Sequence, residues 1–229
     1  KALSNFSLTI GAGEKVLVLG KTGSGKSTLA QLLLRFYDPS SGQITMGGVP
    51  LQQFDVQALR NHISYVQQDV FLFSDTVADN ISFGSKEPAG IEVVKKAAAL
   101  AAVDHEIEGF DKGYDTLIGE RGVTLSGGQK QRISIARALL KTPELLILDD
   151  CLSAVDAKTE HKILNNLADF LDQKTAIVIT HRIFSVLQFD KIVVLEEGRI
   201  LEMGTHKSLL DAQGYYAELY RLQRTENDD

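Results

Sequence analysis

Residues Gly20-Lys21-Thr22-Gly23-Ser24-Gly25-Lys26-Ser27-Thr28 set three glycines among lysines and hydroxyls at the spacing of a P-loop. Glycine lets backbone N–H groups turn toward phosphate oxygens, and a helix beginning at the loop adds a positive dipole end. Lys26 has the reach for the outer phosphates, and the Ser27 hydroxyl is a hard oxygen ligand for magnesium. Farther along, Leu145-Leu-Ile-Leu-Asp149 ends an apolar run in a carboxylate, suited to hold that magnesium through water. The P-loop pattern is a strong signal by itself, whereas an apolar run ending in aspartate is commonplace alone and becomes specific beside it.

A third feature, Leu125-Ser126-Gly127-Gly128-Gln129, precedes the helical stretch Lys130 to Leu140 and offers a second helix start that attracts anions. By itself that segment also reads as an ordinary serine N-cap with a flexible turn.

These groups need a scaffold. Lys15 to Gly20 reads as a strand and Thr28 to Arg35 as a helix, one half of a βαβ unit. Phe6, Leu8 and Ile10 alternate with polar residues as in a half-buried strand, and Asp38-Pro-Ser-Ser-Gly42 marks a turn before a return strand at Ile44-Thr-Met. A small antiparallel element near the N-terminus is predicted from these. Glu92 to Val103 and Lys130 to Leu140 predict helices in the middle third. The apolar runs 145–148, 176–179 and 192–195, separated by helical segments, predict parallel strands buried on both faces. The fold class is therefore α/β, with a mostly parallel core sheet and an inserted helical lobe. Ligands of such sheets bind beyond the carboxyl ends of the strands, so Gly20, Asp149 and His181 are expected to converge there.

Composition restricts the partners. The chain has 229 residues, a net charge of -6 and one cysteine, Cys151. That charge opposes binding along a nucleic acid, which calls for clustered Lys and Arg, so no nucleic-acid partner is expected. One cysteine precludes an internal disulfide and fits a reducing compartment. No run approaches the roughly 20 apolar residues that a bilayer-spanning helix needs, so any membrane role is borrowed from another segment.

Taken with the P-loop, the Asp149 strand and the Ala136-Arg-Ala-Leu helix, the unaltered Leu125-Ser-Gly-Gly-Gln129 resembles the signature of the ATP-binding cassette family over essentially the whole chain. The resemblance implies a P-loop (RecA-like) ATPase fold in a single domain, 1–229. Residues 1–75 and 144–229 would form the ATP-binding core lobe and 76–143 the helical signature lobe. It also implies ATP and magnesium as ligands. Two such cassettes would pack head to tail, each signature closing on the ATP of the other.

By the same resemblance Gln68, in Tyr65-Val-Gln-Gln68, is similar to the glutamine that reaches magnesium and the attacking water, with Gln67 as the other register. Ser153-Ala-Val-Asp156 resembles the loop that crosses to the partner cassette, and His181 the histidine on the γ-phosphate. The loop Thr116-Leu-Ile-Gly-Glu-Arg-Gly122 and the ending Gly214 to Tyr220 are similar to exporter cassettes. Phe71-Leu-Phe73 and the following Thr76 to Ile81 resemble the surface on which membrane domains sit. Export from the cytoplasmic face of the membrane is implied, with membrane helices and the adenine-stacking aromatic upstream of Lys1.

One residue departs from the family pattern: Asp150 stands where a glutamate orients the attacking water. An aspartate is one methylene shorter, and a misplacement of roughly 1 Å can cost about 100-fold in rate. Two readings follow, a hydrolysing exporter motor and a nucleotide-gated dimerisation module that barely hydrolyses. The partner is accordingly an identical cassette or a different one that keeps glutamate. Chromosome-organising cassettes carry a long coiled coil between P-loop and signature, whereas residues 29–124 are compact; translation cassettes are fused copies with basic extensions, absent from this acidic chain.

Overall fold

A computed structural model describes residues 2–85, 89–119, 122–172, 174–184 and 187–227. In chain order the elements are β1 (Lys15–Gly20), α1 (Lys26–Leu33), β2 (Thr45–Met46), β3 (Val49–Pro50), α2 (Val56–His62), β4 (Ile63–Val66), α3 (Val77–Ser82), α4 (Ile91–Leu100) and α5 (Asp104–Glu108). There follow α6 (Gly127–Leu140), β5 (Leu145–Asp149), α7 (Ala157–Phe170), β6 (Thr175–Thr180), β7 (Lys191–Glu196), β8 (Arg199–Gly204), α8 (His206–Ala212) and α9 (Tyr215–Asn227). The chain forms two compact units, 1–63 with 144–149 and 173–229, and 64–143 with 150–172.

The main sheet has the order β4-β5-β6-β1-β7-β8. Strands β5, β6, β1 and β7 run parallel, and β8 turns back antiparallel on β7. Val16, Leu17, Val18 and Leu19 of β1 are wholly inaccessible, as are their counterparts in β5 and β6 nearly so. A strand covered on both faces reads as a continuous apolar run rather than an alternation, which is why these strands are visible in the sequence. Helix α1 enters directly from the turn after β1, its Leu29 and Ala30 buried.

In the second unit α3 and α4 pack on α6. Helix α4 buries Val94, Ala97 and Ala98, the i, i+3, i+4 stripe of an amphipathic helix, and α7 buries Ile163, Leu164 and Leu167. Helix α6 differs: Gln131 and Arg132 are buried beside Ile133, Ile135, Ala136, Ala138 and Leu139. Buried polar side chains must find partners, and theirs define the functional ends described below.

Three expectations change. Residues 6–10 show the predicted alternation, with Phe6, Leu8 and Ile10 half-buried and Ser7 and Thr9 exposed, but they form no strand. Alternation sets which way side chains face, whereas a strand also needs a ladder partner. The small antiparallel sheet is therefore the β2–β3 hairpin alone, two residues a side. Between β6 and β7 the described residues contain no helix, and the return strand β8 was not foreseen because its outward face keeps Leu201 and Met203 exposed. No helix among the described residues is long and apolar enough to cross a membrane.

Candidate ATP site

The first unit collects three of the expected groups. Strand β6 lies between β5 and β1, with Asp149 paired in register with Ile179 and Leu19 with Thr180. The carboxyl ends of neighbouring strands thus carry Asp149, His181 and the Gly20 loop side by side, at the usual parallel spacing of roughly 4.8 Å per strand. Asp149 is only 3% exposed. His181 is exposed, and its carbonyl accepts from Gln223 Nε2 of α9 at 3.2 Å while Gln223 Oε1 accepts from Ile183 N at 2.8 Å.

The loop after β1 is shaped by steric exclusion. A Cβ at Gly20 would lie 2.6 Å from Ser24 Oγ and press on the carbonyl of Leu195, so only glycine fits. Lys21, Thr22 and Gly23 are exposed, Ser24 and Gly25 buried, Lys26 and Thr28 half-buried and Ser27 exposed. Lys26 Nζ donates to the carbonyls of Gly20 at 2.7 Å and Lys21 at 3.0 Å, which lays the ammonium along the loop. Gly25 caps α1 with no side-chain hydrogen bond, and no acidic residue stands in the first turn. A helix start without a capping side chain or a competing carboxylate fits a phosphate group. Ser27 and Asp149 present oxygen donors only, and the described residues contain no cluster of three His, Cys, Asp or Glu. That donor set suits magnesium, which keeps several waters and takes phosphate oxygens, over a transition metal.

The second unit builds the signature end. Ser126 Oγ accepts from Gln129 N at 3.2 Å and Gln129 Oε1 accepts from Ser126 N at 2.9 Å, a complete capping box. With its oxygen engaged as an acceptor, the exposed Ser126 hydroxyl has its proton to offer outward. Gly127 and Gly128 lie against the loop 153–156: a Cβ on Gly128 would sit 2.8 Å from the Ala154 carbonyl oxygen. Gln131, 5% exposed, fastens the same loop, donating from Nε2 to Ser153 Oγ at 3.1 Å and accepting from Ala154 N at 3.0 Å. Asp156 caps α7 by accepting from Thr159 N at 3.0 Å, and that N–H with the Thr159 hydroxyl holds its carboxyl below the usual range.

Gln68 is exposed two residues past β4, in the second unit. Asp150 follows directly on Asp149, half-buried, with φ +49°. Aspartate and asparagine take this left-handed region more readily than other non-glycine residues. In the loop expected from its exporter likeness, Glu120 and Arg121 lie outside the described residues, while Ile118 and Val123 form an isolated bridge. Phe71, Phe73 and Phe83 are 69%, 37% and 52% exposed. Phe73 meets Phe71 edge to face, with centroids at 5.1 Å, and lies tilted against Phe83 at 4.2 Å. Buried Asn80 shapes this patch, accepting from Phe73 N at 2.8 Å, and Arg137 Nε donates to the Asn80 carbonyl at 2.7 Å.

Sequence reading missed Glu106, Gln131, Arg132 and Gln223. Gln131 and Arg132 sit inside a helical stretch that was clear, but a polar residue in a helix gives no sign of whether it faces solvent or a partner.

Comparison with known proteins shows the family and the fold. The family described as ABC transporter matches residues 3–153. An ATP-dependent lipid A-core flippase of Alkalilimnicola ehrlichii is 48% identical over 96% of this chain and 38% of its own length. The relative named "Probable multidrug resistance ABC transporter ATP-binding/permease protein YheI", of Bacillus subtilis, is 49% identical over 97% of this chain and 38% of its own. A bacterial Atm1-family ABC exporter solved with ATP bound superposes with a TM-score of 0.92, at 41% identity, over 97% of this chain and 39% of that one. The chain thus spans well under half the length of the transporters it matches. With the P-loop, the Asp149 strand end and the signature helix all in place, this chain belongs to the ABC transporter family, as a nucleotide-binding domain of the exporter type.

Proposed function

We propose that this chain is the ATP-hydrolysing motor domain of an ABC exporter, acting as a head-to-tail pair of cassettes around two ATP at the cytoplasmic face of a membrane. The observation that carries the reading is the shared carboxyl edge of β1, β5 and β6, with the P-loop, Asp149 and His181 on it. Within one domain, residues 1–75 and 144–229 hold the nucleotide, and 76–143 bring the signature to the partner's ATP.

Lys26, with the loop from Gly20 to Thr28 and the start of α1, binds and orients the β and γ phosphates and stabilises charge as it develops on the γ-phosphoryl group. Ser27, Asp149 and Gln68 would hold magnesium. When bound, that cation would draw charge from the phosphate oxygens and align them for in-line attack. Asp150 positions and polarises the attacking water, and His181 holds the γ-phosphate. Ser126 donates its hydroxyl to the γ-phosphate of the partner's ATP, with Gly127, Gly128 and Gln129 supplying the helix start behind it. Asp156 lies in the loop that crosses to the partner. The exposed Phe71, Phe73 and Phe83 seat the membrane domains, which lie outside this chain and select the cargo; that relatives are named as a lipid A-core flippase and a probable multidrug resistance transporter supports a lipid or a drug as that cargo.

Asp150 favours a second reading, a cassette that binds ATP and hydrolyses it slowly beside a partner that keeps glutamate. ATP turnover by the purified chain, with Lys26→Ala as the blank, decides between them. A rise of tenfold or more in Asp150→Glu supports the weakened half of an asymmetric motor. Equal rates above the blank make Asp150 sufficient and favour a homodimer, and a wild-type rate no higher than the blank overturns the hydrolytic reading.

A further inference from the structure

The carboxylate of Glu106, on α5, makes three short bonds to one end of α6. It accepts from Arg132 Nη1 at 2.6 Å, from Arg132 Nη2 at 3.0 Å and from Gln129 Nε2 at 2.9 Å. Arg132 is 7% exposed and also donates from Nε to the Gly128 carbonyl at 3.2 Å and from Nη1 to the Ala102 carbonyl at 2.8 Å. The acid, the guanidinium, the amide and the Gly128 carbonyl form one closed network behind the first turn of the signature helix.

Two consequences follow from the donor and acceptor inventory. A carboxylate can only accept, so Glu106 requires Nε2 of Gln129 on its side and turns Oε1 toward Ser126 N, the orientation the capping box needs. The bidentate pair also neutralises Arg132, so a buried cation beside the signature serves as a strut and is withheld from nearby anions. Burial alone would push the Glu106 carboxyl up, but the bonds from Arg132 and Gln129 outweigh it and hold it below the usual carboxylate range.

We infer that Glu106 is a positioning residue for the signature: through Gln129 and Arg132 it sets the orientation of Ser126 and of the α6 start that meets the partner's ATP. The inference rests on the motor reading for its effect on turnover, whereas the clamp itself is independent of it. Glu106 touches no reacting atom.

A double-mutant cycle in the full chain tests this. Turnover of Glu106→Gln and Gln129→Ala should each fall roughly tenfold, and the double variant no further, because one residue acts through the other. The KM for ATP should stay within about twofold in Glu106→Gln, since the chain's own P-loop is untouched. A hundredfold loss in the double variant, or a wild-type rate in Glu106→Gln, overturns the inference. The Gln129 side-chain amide, followed by NMR with nitrogen-15 glutamine, reports the clamp without turnover. A displaced pair of amide resonances in the wild-type chain that collapses toward free-amide positions in Glu106→Gln supports it, and unchanged resonances refute it. If the wild-type chain hydrolyses no faster than Lys26→Ala, the motor reading fails and the NMR arm still decides the clamp.

Discussion

Gln131 holds Ala154 from a helix in the same unit: its Oε1 accepts from Ala154 N at 3.0 Å and its Nε2 donates to the adjacent Ser153 at 3.1 Å. One buried amide therefore ties the loop 153–156 to the helix that begins at the signature, so neither is free to reorient alone. Replacing it with the apolar Gln131→Leu leaves the Ala154 N–H without its acceptor. A loss of about 1 kcal/mol in unfolding free energy is expected, because Ala154 is exposed enough for water to take over part of the bond. Turnover should fall further than stability, and urea unfolding measured beside ATP turnover separates the two. A variant as active as wild type would show that the loop finds its position without Gln131.

Gly128 is set against the same loop, and here two effects compete. Alanine in place of a helical glycine ordinarily stabilises by up to about 1 kcal/mol. Against that, the added methyl of Gly128→Ala would meet the Ala154 carbonyl oxygen at 2.8 Å, and backbone on that side cannot swing away as a flexible side chain could. Overpacking of this kind costs about 1–3 kcal/mol, so net destabilisation is expected, together with loss of turnover. Thermal unfolding gives the sign directly: a higher midpoint in Gly128→Ala would mean that helix propensity wins and that the approach is looser than it looks.

Much of this arrangement was legible before any coordinates. The runs at 16–19, 145–148 and 176–179 are apolar without alternation because both faces of those strands are covered, and a motif ending each run locates the site edge. The signature could be recognised only through its resemblance to the family motif, because a serine followed by two glycines before a helix also reads as an ordinary N-cap. Residues 6–10 misled because period-two burial arises in any extended segment laid on a core, with or without a ladder. Glu106, Gln131 and Gln223 were illegible for a different reason. Their roles depend on partners 23, 22 and 42 residues away, at distances where local periodicity carries no information.

Two carboxyls give the fold a dependence on acid whose direction is fixed. Burial would raise Glu14, but Lys191 Nζ at 2.6 Å and the Gly11 N–H hold it below its ordinary 4.5, and Glu106 is lowered in the same sense by Arg132. A folded-state value below the unfolded one contributes stability that is complete above pH 4.5 and is lost as pH falls through the folded value. The melting temperature should therefore be flat in these groups from pH 8 to about 5 and decline below it. Glu106→Gln and Glu14→Gln should each flatten that decline. Because Glu106 keeps 41% of its side chain exposed, solvent screening limits its share to under about 1 kcal/mol. An undiminished slope in the double variant would assign acid sensitivity to other carboxyls.

Gln223 bears on the least regular part of the site. The turn after β6 carries His181 but has no ladder to hold it, and Gln223 grips it from both ends, at the His181 carbonyl and the Ile183 N–H. In Gln223→Ala both bonds go, and since His181 is exposed and Ile183 only half-buried, water can take over part of both and the global melting point should move little. The local effect should be larger. Exchange of the Ile183 amide is expected to quicken roughly fivefold, the equivalent of one hydrogen bond of about 1 kcal/mol. Turnover should drop several-fold if His181 must be placed on the γ-phosphate, because a histidine that visits other positions spends less time at the reacting one. Faster exchange with undiminished turnover would show that the turn is held by Gln223 but that His181 finds its place on ATP without it, and unchanged exchange would remove Gln223 from the site altogether.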